Sequence, residues 1–482
     1  MDTYANILLI TIPIFLVLIT IEILYGSWKK DQQHSFMDTI SSLSSGFTNL
    51  LVDILGLGII IFSYPFFYER LKVIDLEESI LLYFIAFVCI DFASYCHHRL
   101  KHSINIFWNM HVIHHSSEEF NLACALRQSI TNNLGIGVLF LIPAAFLGVP
   151  PQVIAILGPL HLFGQFWYHT KHIGKLGWLE YILVTPSQHR VHHAINKEYI
   201  DKNLAAIFCV WDRAFGTFQE ELDDVPCVYG TLKPVETWNP IWINFQHLWF
   251  LIQDAWYTNS LKDKFRIWFM PTGWRPEDVT KKLPRAKVEN VYSQEKYKPE
   301  YKLIHKIFAG FHFVVQNIIL FFFLTSFSDI SLADKTAYFI LIFSTIFSSS
   351  SVMDGFKWST TFNISVPKSK LVRYDGLETS TFANRYVIGE PLSIVKLYRS
   401  LGVDPETGQY VIEDYNGDGA ISSNGDLQWI EDLAPKFYGG LGNTLNWGNL
   451  TFDVFLQFKK QKGYNTLRDN AAPGYRRNAS VD

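Results

Sequence analysis

The stretch whose reading decides the fold is "HHRLKHSINIFWNMHVIHH", residues 97–115. Six of its nineteen residues are histidine, and it follows directly on an apolar run at 79–96. His98 and His102 are spaced H-x-x-x-H, and His111, His114 and His115 are spaced H-x-x-H-H. The second spacing returns at His189, His192 and His193. On an α-helix, residues i, i+3 and i+4 share one face, so each group can turn two or three imidazoles toward one point. Twelve of the sixteen histidines lie between His97 and His193. A lone histidine is usually an ordinary core or surface residue; repeated one-face spacing sets these apart. Eight imidazoles are too many for one ion and suit two adjacent metals.

His169, in WYHTKH, is a candidate ninth ligand. His97 points about 100° away from His98 on a helix and is left out. His161 lies within an apolar run, where it is either a buried hydrogen-bonded residue or a support for a ligand. His172, His34, His247, His305 and His312 are read as structural or exposed. A histidine-only shell does not select iron by affinity, and zinc or copper would also bind. Zinc has no redox chemistry. A dinuclear histidine site at a membrane surface, with little acidic ligation, points to oxygen activation.

The wider composition fits a membrane protein with long polar loops. The 482 residues carry a net charge of −4 and are 16% aromatic, with a mean hydropathy of +0.11. That charge balance gives no sign of a nucleic-acid partner. The cysteines, Cys89, Cys96, Cys124, Cys209 and Cys227, form no C-x-x-C pair. Reduced thiols are expected, and the metal ligands must then be histidines.

Apolar segments lie near 4–25, 47–67, 79–96, 130–148, 151–168, 306–325 and 335–351. The first has about the length that crosses a bilayer, roughly 20 residues. It lacks a basic leader and a small-residue cleavage site, so it reads as a retained helix. The pair 130–148 and 151–168, joined by Val149 and Pro150, reads as a helical hairpin turning at a membrane face. Lys29 and Lys30 follow the first span, and Arg99 and Lys101 the third; the positive-inside tendency puts both on the cytoplasmic side, with every histidine group. The stretch 169–303 is too polar to span and is expected to form a cytoplasmic cap. The expected fold is mainly α, a multi-span transmembrane bundle with a histidine-rich cap and a β-rich C-terminal fragment.

The three boxes, in this order and beside these spans, resemble the fatty acid hydroxylase / sterol desaturase superfamily of membrane di-iron enzymes. The flanking text "HHSSEEFNLACALRQS" (114–129), "QFWYHTKHIGKLGWLEYILVTPSQHRVHH" (165–193) and "IDKNLAAIFCVWDRAFGTFQEE" (200–221) is closest to its alkylglycerol monooxygenase branch; "GWRPEDV" (273–279) adds a weaker echo. The resemblance covers about residues 1–358. It implies two iron ions, molecular oxygen, a lipid substrate and a bacterial inner-membrane location. For that branch it implies tetrahydrobiopterin as reductant. Hydroxylation at the ether-bearing carbon would give a hemiacetal that splits into a fatty aldehyde and glycerol. Ser103 follows the first box where the animal members of the branch carry glutamate, which puts the reductant in question. Glu118 and Glu119 are either surface acids or orienters of the imidazoles. Arg127 is either a grip for a headgroup or pterin, or a cation at a helix end. Asp201 and Asn203 match positions of the branch near the third box; a plain turn competes.

Past about residue 358 the texture changes. In "NLTFDVFLQFK" (449–459) apolar and polar residues alternate with one exception, and Trp447-Gly448-Asn449 precedes it as a turn. The segment at about 360–482 resembles the late barrel region of SusC-type TonB-dependent outer-membrane transporters, though only a fraction of one. Asp414-x-Asn416-x-Asp418-Gly419 resembles the start of a calcium loop, but its twelfth position is Gly425 where an acid should stand. The expected organisation is an enzyme domain at 1–358 and a fused, non-functional barrel fragment at 359–482.

The leading function is a membrane lipid monooxygenase. Its same-chemistry rival is a fatty acyl or sterol hydroxylase or desaturase fed by a redox protein. Of other classes, the tail alone suggests an uptake protein, and the histidines alone a structural metal protein.

Overall fold

The computed structural model describes residues 2–56, 63–131, 135–299, 301–354, 357–447 and 450–463. It divides into two compact units, Met1–Gly355 and Phe356–Asp482.

The first unit is helical. Among the described residues, four helices are long and apolar enough to cross a membrane. Two of them, α1 (Asp2–Lys29) and α4 (Ile80–Ser103), flank α2 (Phe36–Ile54) and α3 (Tyr64–Leu71). The other two, α15 (Leu303–Thr325) and α16 (Leu332–Met353), close the unit. A helix satisfies its own backbone polar groups, which is why such apolar runs take this form in a bilayer. Side-chain caps set several starts: Ser35 accepts the Asp38 N–H at α2, and Ser79 accepts the Leu82 N–H at α4. At about 1.5 Å per residue, 24 residues carry α4 about 36 Å, beyond the roughly 30 Å of a hydrocarbon core. The helix, whose last turns carry His98 and His102, is therefore longer than a bilayer core requires.

Two expected spans are different in the structure. The run at 130–148 becomes a 3-10 turn at Ile136–Leu141 and a short α8 (Ile142–Phe146), preceded by α5 (Asn105–Trp108), α6 (Val112–His115) and α7 (Leu122–Ala125). Residues 132–134 of that run lie outside the described residues. The run at 151–168 gives α9 (Pro151–Phe163), whose 13 residues reach only about 20 Å. Neither has the length to cross. Gly135 and Gly148 take left-handed backbone angles, and Pro143 and Pro151 start new helices. At Gly148 a methyl group would sit 1.7 Å from the Ile74 carbonyl oxygen, so only glycine lets this turn close. The expected span at 47–67 begins on α2, which ends at Ile54; residues 57–62 lie outside the described residues.

After α9 come α10 (Pro186–His193), α11 (Val210–Ala214), α12 (Pro240–Tyr257), α13 (Leu261–Arg266) and α14 (Glu277–Lys282). Then α15 (Leu303–Thr325) and α16 (Leu332–Met353) pack with α2 around Phe47, Leu51, Leu320, Phe323, Ile342 and Ile346. A second core joins α3, α4, α8 and α9 through Tyr64, Leu82, Ala86, Ala144 and Val153.

The second unit is β-rich. A three-stranded antiparallel sheet has the order β1-β6-β7, from β1 (Lys357–Ser365), β6 (Phe437–Trp447) and β7 (Leu450–Lys460). Lys357 pairs with Asn446, and Phe437 with Lys460. The expected strand is β7; the glycine and asparagine of its expected turn, 448–449, lie outside the described residues. Two small ladders pair β2 (Ile394–Leu397) with β5 (Trp429–Asp432), and β3 (Ser400–Val403) with β4 (Tyr410–Ile412). Phe452, Phe455 and Leu456 remain exposed, so the alternation of β7 buries no face within this unit.

Candidate metal centre

Box one lies on the last turns of α4, box two on the His111 cap and α6, and box three on α10, where Pro186 stands in the first turn. His169 sits in the turn after α9, its N–H donating to the Phe166 carbonyl. All nine predicted ligand residues meet in two groups. His98, His102, His111, His115 and His192 form one; His114, His169, His189 and His193 form the other. Within each group the candidate ligand atoms lie within 4.8 Å of one another. The boxes are shared between the groups. His114 and His115 are helical neighbours about 100° apart, so they face different groups, and so do His192 and His193.

The tautomers are set from behind. The Nδ1 atoms of His98, His114, His169 and His192 lie 2.7, 3.1, 3.0 and 3.1 Å from the carbonyl oxygens of Leu204, Arg127, Gln165 and Lys202. His102 Nδ1 lies 3.1 Å from Asp201 Oδ1. A carbonyl oxygen only accepts, so each facing Nδ1 carries the proton and Nε2 keeps its lone pair. His114 and His169 therefore face each other at 3.4 Å through two acceptor nitrogens. Such a contact is repulsive unless a cation sits at it. The Nε2 atoms of His102, His115 and His192 are buried without a hydrogen-bond partner, which costs stability in a finished protein core. Burial, and then the neighbouring imidazoles, hold His111, His115, His189, His192 and His193 well below the ordinary histidine range. Burial lowers His114 to about 4. Neutral imidazoles with converging lone pairs are a donor set for transition metals.

One short segment supplies much of this support. Asp201, Lys202 and Leu204 orient His102, His192 and His98. Asp201 and Asn203 both hold left-handed backbone angles, φ 55° and 52°. Asn203 donates to the Gln188 and Gln219 carbonyls and accepts the Gln219 N–H, so it fixes α10 and touches no imidazole. Asp212 accepts the N–H groups of Leu204 and Ala205, and Asp91 those of Ile207 and Phe208. Asp91 also bonds His161 at 2.7 Å.

Arg127 is buried within the fold. Its guanidinium donates to Asp38, Ser41, Ser42 and Ser116, while its carbonyl orients His114. Glu118 accepts the Tyr297 N–H, and Glu119 pairs with Lys296. Among the described residues neither glutamate bonds an imidazole; the chain turns after α6 and points both toward 294–297. His97, His161, His172, His34, His247, His305 and His312 stand outside both groups. In the second unit the Asp414 and Asp418 carboxylates accept backbone N–H groups of their own loop, and among the described residues no metal-holding group forms there. All five cysteines are free.

A cavity of about 310 Å³ opens against the histidines. His102, His115, His192 and His193 line it, together with Trp108 and Phe250.

The sequence profile described as "Fatty acid hydroxylase" matches residues 83–217, the span that holds all nine candidate ligand histidines. An alkylglycerol monooxygenase of Xenopus tropicalis is 36% identical over 306 residues, 63% of this chain and 68% of the relative. The chain belongs to the fatty acid hydroxylase family. Within the family, the Homo sapiens alkylglycerol monooxygenase is 39% identical over 55% of this chain and 59% of its own length. The ornithine lipid hydroxylase OlsE of Rhizobium tropici is 29% identical over 28% of this chain and 40% of its own length. The chain thus spans about three fifths of the human relative. No solved structure matches it.

Proposed function

We propose that this chain is an integral-membrane di-iron monooxygenase that cleaves the ether bond of alkylglycerols. The observation that carries the proposal is the pair of facing, proton-free Nε2 atoms on His114 and His169, set within nine converging imidazoles. His98, His102, His111, His115 and His192 would hold one iron, and His114, His169, His189 and His193 the other. Bound iron would supply the activation of oxygen that the protein's own side chains lack. The chain's residues do the rest. The carbonyls behind His98, His114, His169 and His192 keep those Nδ1 atoms protonated and their Nε2 atoms aimed inward. Burial excludes water from the nitrogens. The cavity seats the lipid against His102, His115, His192 and His193.

The substrate's ether-bearing CH₂ gains a hydroxyl; the second oxygen atom leaves as water, with two electrons and two protons from a donor. The hemiacetal splits to a fatty aldehyde and glycerol. Tetrahydrobiopterin is the donor that the resemblance of the flanking sequence to the alkylglycerol monooxygenase branch implies. The likeness to an ornithine lipid hydroxylase supports, as the second reading, hydroxylation of a lipid without ether cleavage, in the form of a fatty acyl or sterol hydroxylase or desaturase fed by a redox protein. The histidine site faces the cytoplasm of a bacterial inner membrane, and residues 359–482 are a fused barrel fragment with open sheet edges. The test is an O₂-consumption and product assay on the full chain in lipid. Fatty aldehyde from an alkylglycerol under tetrahydrobiopterin supports the proposal. A hydroxyacyl product under a ferredoxin-type donor, with the ether intact, would replace it by the second reading.

A further inference from the structure

Helix α12 has a face that the histidine site does not use. Its inner face is built in. Asn244 accepts the Ser129 hydroxyl and the Ile130 N–H, His247 Nε2 bonds the Asn105 carbonyl, and Asp254 holds Arg275 and Arg285. Gln246, His247 and Phe250 line the cavity beside the histidines. The outer face carries Trp242, Phe245, Trp249, Ile252 and Trp256, at intervals of three and four residues, with Tyr257 next to them. These six are the exposed residues of α12, and none is charged. Trp249 is 47% exposed and Trp256 77%. The apolar surface continues through Leu261 and Phe265 on α13 to Phe269.

Aromatic side chains each present roughly 150–250 Å². Contiguous apolar patches beyond a few hundred Å² mark an interaction surface. Charge says what covers this one. Between 258 and 288, besides Arg275 and Arg285, which Asp254 holds, stand six lysines and arginines against three acids, in a chain whose net charge is −4. Lys264 donates to the Ala255 and Trp256 carbonyls at the end of α12, and Lys282 lies 5.2 Å over the Tyr257 ring. The same interval of three and four would suit a helix of a second copy, but the second copy brings the same excess of positive charge. Tryptophan and tyrosine beside lysine and arginine are the residues of a membrane interface. The buried Asn244, His247 and Asp254 tie α12 along the protein, and it is not among the four helices suited to crossing.

We propose that α12 and α13 lie in the interfacial zone of a bilayer leaflet, with their aromatic face at the acyl boundary and their basic flank on anionic phospholipid headgroups. On the proposed function, α12 is then the wall between the leaflet and the cavity, and a lipid reaches the histidines without entering water. The test uses the full-length protein in vesicles of phosphatidylcholine and phosphatidylglycerol with brominated acyl chains. W249F and W256F keep the face apolar, and the difference from the unmodified protein isolates each indole. Both difference signals should be quenched by the brominated lipid and shielded from aqueous iodide. K262Q/K281Q should lose quenching in vesicles rich in phosphatidylglycerol and not in phosphatidylcholine alone. Quenching by iodide and not by lipid would place the face in water and overturn the proposal. Quenching by neither would show a protein partner, a second copy included, and would also overturn it. Equal behaviour of K262Q/K281Q in both vesicles would refute the headgroup contact. Fluorescence needs no turnover, so this outcome is separable from failure of the proposed activity.

Discussion

Replacing Asp201 by glycine should loosen metal at the five-histidine group without unfolding the protein. Asp201 Oδ1 is the acceptor that orients His102. The Asp201 side chain is 59% exposed and His102 6%. An ion pair that open to water contributes little by charge alone, so the effect must come from holding the ring. Loss of such a support typically costs 10- to 100-fold in metal affinity, about 1.4–2.8 kcal/mol. The backbone decides which substitution is informative. With φ at 55°, alanine would add about 1–2 kcal/mol of strain and confuse the result. Glycine takes this angle freely and removes the acceptor; asparagine tolerates the angle and keeps an acceptor oxygen. D201G should therefore fall 10- to 100-fold in a competitive chelator titration, and D201N should stay within a few-fold of the unmodified protein. Thermal unfolding of both metal-free variants should be close to that of the unmodified chain. If D201G binds metal as tightly as the unmodified protein, the orienting role of this segment is wrong.

Acid should weaken the metal-free protein. An unfolded histidine takes a proton below its ordinary value near 6.5, whereas buried His114 refuses one until about 4. Stability is thus whole above about pH 6.5 and falls toward pH 4, by about 1.4 kcal/mol per pH unit for each such histidine; a denaturant series across that window reads it. R127M should destabilise by about 3–5 kcal/mol, because it leaves Asp38 charged in a site where both side chains are 2% exposed. Ending the chain after residue 358 should leave iron content and activity per iron unchanged, and the 359–482 tail should be lost first under limited proteolysis. Its open strand edges have no cover of their own.

The clustering of the histidine boxes was legible because spacing survives folding: His98 with His102, His111 with His115 and His189 with His193 stand at i, i+4, and each pair falls in one group. Their division into five and four was legible in principle from the two His-His pairs, since neighbours 100° apart cannot serve one point. Most of what orients them was not. The acceptors behind His98, His114, His169 and His192 are backbone carbonyls, and every residue has one. Asp201 alone of these supports left a side-chain signature. Length in residues misled at 130–148 and 151–168, where glycines and prolines cut one apolar run into a 3-10 turn and short helices. Summed polarity hid α12: the capping segment as a whole is too polar to span, and only the interval of its aromatics marks an apolar face. The sequence leaves Arg127 open between a grip for a headgroup or pterin and a helix-end cation, and Asp38, its buried partner 89 positions away, could not be inferred from local pattern.

Nine imidazoles, seven buried and two half-buried, should hold two iron ions. Iron should be measured per chain, by elemental analysis of the full-length protein reconstituted anaerobically with ferrous ion and freed of loose metal. The account predicts two irons per chain, and one in H114A/H169A, which empties the four-histidine group and spares the five. Two irons retained in H114A/H169A, or no more than one in the unmodified protein, would contradict it.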